Sequence, residues 1–143
     1  MVTLYVTCGI AGSGKSTISS KLRDEFGLKL YCFDSLRKGC KFEDRQKIYD
    51  RLYADIKDDM LNNHSVIYDD LNITSKRRLE LLLSIQDVQC RKILIVMTTP
   101  LEECIRRNAE RQIGRLPDSV IYHLNSQYEP PSLEEGWDEI LYY

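Results

Sequence analysis

The segment Gly9-Ile10-Ala11-Gly12-Ser13-Gly14-Lys15-Ser16 constrains this chain more than any other feature. It has the pattern GxxxxGK[ST], in which glycines let the backbone wrap until successive N–H groups face one point; a helix starting just beyond adds the positive end of its dipole. Such a loop cradles phosphate oxygens. The flanks agree with it. Val2 to Thr7 is a short β-branched run that predicts a buried parallel strand, and Ile18, Leu22 and Phe26 at four-residue spacing predict a helix over 15–26, stopped by Gly27. Gly9, Gly12, Ser13 and Gly14 then lend the loop's amides, and Lys15 reaches the β- and γ-phosphates. Ser16 offers a hydroxyl to Mg²⁺, and Thr17 lies just beyond, in the helix's first turn.

The rest of the chain alternates strands with helices. A second strand is expected over 28–33, followed by a helix over 43–61 whose Ile48, Leu52, Ile56 and Met60 form one apolar stripe. A third strand, 65–68, ends in Asp69 and Asp70, and a helix over 75–86 opens at the cap candidates Thr74 and Ser75. The most apolar run, 92–97, is the fourth strand. After Pro100 come a helix to about Glu110, a basic stretch with Gly114 and Pro117, a shorter helix to about Gln127, a loop holding Pro130, Pro131 and Gly136, and a short final strand over 139–143. This alternation demands crossover connections. The expected fold is α/β: a three-layer P-loop NTPase fold with a mainly parallel five-stranded sheet, helices on both faces and a small helical lid over about 106–127. Ligands in such sheets bind beyond the carboxyl ends of the strands.

Length and composition fit one domain, 1–143, with a packed core: 143 residues, 43% hydrophobic and 29% charged. A net charge of -2 argues against a broad basic face that coats long nucleic acid. The five cysteines, Cys8, Cys32, Cys40, Cys90 and Cys104, form no CxxC pair and read as neutral thiols of a reducing compartment. The start is too short and uncharged for a signal peptide, and no stretch approaches a membrane span, so a cytoplasmic location is expected.

Residues suited to chemistry fall at the strand ends. Asp34 follows the second strand on the cradle's edge of the sheet, where a carboxylate can take the proton of an attacking hydroxyl; the plainer reading is a helix cap. Arg37, one turn later, is placed to hold an anionic acceptor. Of the two aspartates after the third strand, strand alternation turns only one toward a metal, and Asp70 is the choice for Mg²⁺. Arg106, Arg107, Arg111 and Arg115 recur over the lid, with Arg107 and Arg111 expected on one helix face. Their planar forks suit phosphate, and Arg111 can offset charge that develops during transfer. Lys76, Arg77 and Arg78 could meet a polyanion, with an ordinary exposed basic face as the plainer reading. His64, His123, Trp137 and most tyrosines are given no role beyond packing or surface.

Taken together, these motifs resemble the polynucleotide 5′-hydroxyl kinase family of P-loop kinases, over nearly the whole chain. The cradle GIAGSGKST, Phe33-Asp34-Ser35-Leu36-Arg37, Asp70-Leu71-Asn72 with Arg77-Arg78, Arg107-Asn108-Ala109-Glu110-Arg111 with Pro117, and the tail from Tyr128-Glu129-Pro130-Pro131 to Ile140 coincide in order. The resemblance implies a general base at Asp34, an acceptor-phosphate contact at Arg37, acceptor binding near Asn72, and ATP contacts from Arg107 and Arg111. Leu71 and Ser35 depart from the family, which often has threonine and a second acidic residue there. The expected function is transfer of the ATP γ-phosphate, with Mg²⁺, to a hydroxyl, first of all the 5′-OH of a nucleic acid. A small-metabolite or aminoacyl-tRNA hydroxyl is the alternative acceptor, and an ATP-binding regulatory NTPase module is the alternative class.

Overall fold

A computed structural model describes residues 1–36 and 44–143. Its centre is β1 (Val2–Cys8), whose apolar and β-branched residues leave few polar side chains to satisfy. Such a strand tolerates neighbours on both edges and layers on both faces. It pairs in parallel with β3 (Val66–Asp69) on one side and β4 (Cys90–Val96) on the other. β2 (Lys29–Cys32) joins β3, and β5 (Glu139–Tyr142) joins β4, both in parallel. The sheet order is β2-β3-β1-β4-β5, so the five-stranded parallel architecture expected from the sequence is present.

One face is packed by α1 (Lys15–Phe26), whose Ile18 and Leu22 join Ile67, Ile93 and Ile95 in a small core. Gly27, at φ 64°, ends that helix by sending its N–H back to Arg23 O. The other face carries the larger core. There α3 (Arg45–Leu61) buries Tyr49, Leu52, Tyr53, Ile56 and Met60, and α4 (Ser75–Ser84) buries Leu81 and Leu82, against Leu4, Val6, Tyr68 and Leu94. Thr74 caps α4 by accepting a hydrogen bond from Arg77 N at 3.3 Å. A third cluster, Ile10, Ala11, Ile73, Cys104 and Ile121, seats α5 (Leu101–Ala109) and α6 (Asp118–Gln127) against the glycine loop.

Two local departures bear on the site. The chain leaves β2 one residue earlier than expected and enters a short helix, α2 (Phe33–Leu36), which puts Asp34 in a first turn. The tail, expected as loop, forms a 3₁₀ turn at Leu133–Glu135 before β5.

The basic run at 76–78 divides. Lys76 is exposed, but Arg78 is fully buried: Nε and Nη2 meet the Glu135 carboxylate at 2.9 and 3.0 Å, while Nη1 and Nη2 donate to Asn72 O and Glu129 O, both at 2.9 Å. Arg78 is therefore a tie between the loop after β3 and the tail, not part of a solvated face. Glu135 lies 57 residues from Arg78 in sequence and Glu129 51, so only the fold brings them together.

Cys8, Cys90 and Cys104 are buried and Cys32 is half-buried, all as free thiols. Burial pushes the Cys8 thiol up to about 11 and raises Cys90 and Cys104 as well, which leaves them poor nucleophiles. Cys40 lies outside the described residues. Among the described residues, no helix is long and apolar enough to cross a membrane.

Candidate active site

The glycine loop joins β1 to α1 and is braced from three sides. Gly9 N donates to Leu71 O (2.9 Å), Ser13 N closes onto Ile10 O (3.3 Å), and Thr99 Oγ1 donates to Ser13 O (2.8 Å). Gly12 and Gly14 adopt φ of 83° and 95°, the left-handed region that glycine enters without penalty. Space requires glycine too at Gly12 and is tight at Gly14. A Cβ at Gly12 would lie 2.4 Å from the Cys104 carbonyl oxygen, and one at Gly14 3.1 Å from Arg107 Nη1.

Lys15 folds its ammonium onto the loop's own carbonyl, Nζ to Ile10 O at 2.9 Å. Burial lowers its pKa, opposed by the charges of Asp69 and Asp70, deepened by Arg111, and opposed again by Asp34. The ammonium thus sits in the field of three carboxylates and one guanidinium.

The structure separates the two aspartates differently from the sequence reading. Asp69 is the one at the cradle: Ser16 Oγ donates to its Oδ2 at 3.0 Å, and Thr7 Oγ1 donates to its Oδ1 at 3.1 Å. Asp70, chosen from sequence for Mg²⁺, instead accepts from Tyr68 OH (2.7 Å), Tyr49 OH (3.3 Å) and Leu71 N (2.8 Å). Burial raises its pKa, against the hydrogen bonds from Tyr68 and Leu71 and with the Asp34 charge. The reason is register. Asp69 is the last residue paired in β3, opposite Cys32 of β2, and the strand's pleat aims it at α1; Asp70 is already past the strand and turns back toward α3.

Asn72, expected on the acceptor side, is buried and serves as a brace. Its backbone is left-handed at φ 47°, and Nδ2 donates to Thr7 O at 3.0 Å. Asp34 is exposed at the start of α2, on the same edge of the sheet. Arg37 lies outside the described residues.

Gly12, Ser13, Gly14, Thr17, Thr99, Arg107 and Arg111 line a cavity of about 550 Å³. Arg107 and Arg111 do not share a helix face, because α5 ends at Ala109 and Arg111 sits in the following turn; they converge on the cavity all the same. Glu103 holds Arg107 through Nε at 3.2 Å. Arg106 faces solvent between Glu103 and Glu110, and Arg115 is exposed. The turn beyond α5 is pinned by Asn108, whose amide donates to Leu116 O (2.7 Å) and accepts from Leu116 N (3.0 Å). Gly114, at φ 79°, lies inside that pinned turn.

Sequence reasoning missed Thr7, Asp69 and Asn108. Strand alternation separates the two aspartates, but which of them meets Ser16 depends on register; Asn108 holds backbone atoms of Leu116, and Thr7 holds the Asp69 carboxylate across 62 residues, contacts that no local pattern announces.

A phosphate cradle, a carboxylate on the P-loop serine and an arginine-lined cavity on a five-stranded parallel sheet define a P-loop domain of the kinase-like class. The chain belongs to the KTI12 family: the family described as chromatin associated protein KTI12 matches residues 2–142. The L-seryl-tRNA(Sec) kinase of Methanococcus maripaludis is 26% identical over 145 residues, covering 94% of this chain and 56% of that protein. The chain thus spans little more than half the length of this curated relative. Chaetomium thermophilum Kti12, solved in complex with ADP-AlF3, matches with a TM-score of 0.75 at 18% identity, over 98% of this chain and 88% of that one. The Pnkp1/Rnl/Hen1 RNA repair complex matches at 0.78 and 22% identity, over 88% of this chain and 43% of that one. At such identities these two structures share the fold. Membership of the KTI12 family replaces the finer resemblance to polynucleotide 5′-hydroxyl kinases, which are structural neighbours.

Proposed function

We propose that this domain binds ATP in the cavity between the glycine loop and Arg107 and Arg111, and transfers its γ-phosphate to a hydroxyl carried by an RNA. The observation that carries the reading is the cavity in which the glycine loop faces Arg107 and Arg111, with Lys15 folded onto the loop and Ser16 bonded to Asp69 beside it. A phosphate bound in the loop's amides replaces Ile10 O as the partner of Lys15. Asp34 then accepts the acceptor's proton while the hydroxyl oxygen bonds to the γ-phosphorus and the bridging oxygen leaves with ADP. Arg107 and Arg111 neutralise charge on the phosphates and cover the base, with Thr17 beneath.

The hard oxygen donors Ser16 and Asp69, 3.0 Å apart, fit Mg²⁺ and would be the residues that hold it. When bound, Mg²⁺ supplies positive charge to the β- and γ-phosphate oxygens.

The seryl-tRNA kinase relative favours a hydroxyl borne by tRNA over a nucleic-acid 5′ end as the acceptor. A regulatory NTPase is the second reading, favoured by the KTI12 family match itself; water then replaces the acceptor hydroxyl. Labelled ATP incubated with aminoacyl-tRNA, 5′-hydroxyl oligonucleotides, a metabolite pool and no acceptor separates these readings. Label on aminoacyl-tRNA is the expected result. Label only on the oligonucleotides or metabolites moves the acceptor class, and free phosphate alone leaves the NTPase.

A further inference from the structure

Next to Asp34 stands a column of two rings and two guanidinium groups. Phe33 stacks on Tyr49 with centroids 4.2 Å apart and planes 15° apart. Arg77 Cζ lies 3.7 Å from the Tyr49 centroid. Two groups that close do not fit on one face of a ring, so Phe33 and Arg77 clamp Tyr49 between them. Arg45 Cζ lies over Phe33 at 5.9 Å. The rings are buried, Arg45 and Arg77 are half-buried, and Lys76 beside them is exposed. None of the column's members lines the cavity beneath Arg107 and Arg111.

The column belongs to the acceptor side of the site. Phe33 is one peptide from Asp34, and the Tyr49 hydroxyl reaches Asp70, whose carboxyl lies within the field of Asp34. A guanidinium fixed by one face on a ring is pre-organised, with its N–H fork directed edgewise for two oxygens of a phosphate. Arg77 meets Glu80 at 2.9 Å, one turn along the same helix, with both side chains 30% exposed. This half-buried pair keeps part of its contact with water, and a phosphate oxygen can take the place of the Glu80 carboxylate on the same N–H groups. The two cations rest on different rings, Arg45 on Phe33 and Arg77 on Tyr49, which suits neighbouring phosphates of a chain better than a single small anion.

We propose that Arg77, held on Tyr49, docks a phosphodiester of the RNA acceptor, and that Glu80 is the counter-ion which the phosphate displaces. The inference rests on the hydroxyl-transfer reading above and makes its acceptor a polyanion that passes along α3 and α4.

The test measures binding of unfractionated tRNA to the full chain across a salt series, alongside binding of a fluorescent ATP analogue. Arg77→Gln weakens tRNA binding about tenfold and lowers the slope of log affinity against log salt by about one, with analogue binding unchanged. Arg77→Lys keeps the slope. Glu80→Gln tightens tRNA binding by about two- to threefold, an outcome that loss of a merely structural ion pair does not produce. Wild-type affinity and slope in Arg77→Gln, or unchanged or weaker binding in Glu80→Gln, sink the inference alone. Failure of the wild-type chain to bind tRNA at any salt removes the RNA-acceptor reading, and the docking site with it.

Discussion

Ser16 Oγ and Asp69 Oδ2 meet at 3.0 Å, across 53 residues of sequence. The contact links the first turn of α1 to the end of β3, and it singles out which of two adjacent aspartates stands beside the glycine loop. Asp69→Asn accordingly raises the Mg²⁺ concentration needed for half-maximal turnover by about 10- to 100-fold, the range seen when a group that orients a metal's surroundings is lost. Asp70→Asn leaves that midpoint within about twofold. A Mg²⁺ titration of ATP turnover for both variants checks the assignment, and the reverse order would return the role to Asp70.

Asp34→Asn removes a proton acceptor and leaves the cradle intact. Transfer to the acceptor falls by about 10²- to 10⁴-fold, the usual contribution of a general base, while ATP affinity changes less than about twofold. Single-turnover transfer and equilibrium ATP binding measure the two separately. Near wild-type transfer would take Asp34 out of the mechanism.

Arg78 is a fully buried cation whose fork is filled by Glu135. Glu135→Gln or Arg78→Met leaves one charge buried without its partner or removes the tie altogether. Breaking such a pair from one side costs about 3–5 kcal/mol. Urea unfolding gives the loss, and the double variant should be less destabilised than the sum of the singles. Additive losses would mean that the pair is not coupled.

The Asp70 carboxyl carries a sign that can be read in a pH series. Burial holds its folded-state pKa above the ordinary 3.8, so between that value and the raised one the folded chain binds more protons than the unfolded chain. Its contribution to stability is whole below 3.8 and is lost as pH rises through the raised value. Asp70→Asn does not titrate, so the variant gains on the wild type as pH climbs from about 3.5 to neutrality. Urea midpoints of both proteins in metal-free buffer give the difference; a flat difference would mean that the carboxyl is not perturbed.

Strand–helix alternation and the glycine loop were legible because each depends on local pattern: periodicity, and left-handed turns that favour glycine. The position of Asp34 was legible too, since a residue that follows a parallel strand falls at that strand's carboxyl end whatever the other strands do. Arg107 and Arg111 were expected on one helix face, but α5 ends between them and only the fold brings both to the cavity. Arg78 was not legible. A buried arginine looks like a surface one until its carboxylate partner, here in the tail, is brought beside it. The column of Phe33, Tyr49 and Arg77 likewise joins three elements that no local signal connects.

Local sequence is enough to end β1 in a glycine loop and to require helices that cross between parallel strands, because backbone conformation and apolar period are properties of neighbouring residues. Tertiary structure alone decided the sheet order, the choice of Asp69 over Asp70 beside Ser16, and the burial of Asn72 and Arg78. Those depend on register and on which side chain finds a partner across tens of residues, and a hydrogen bond or ion pair at that separation is selected only when the whole chain has packed.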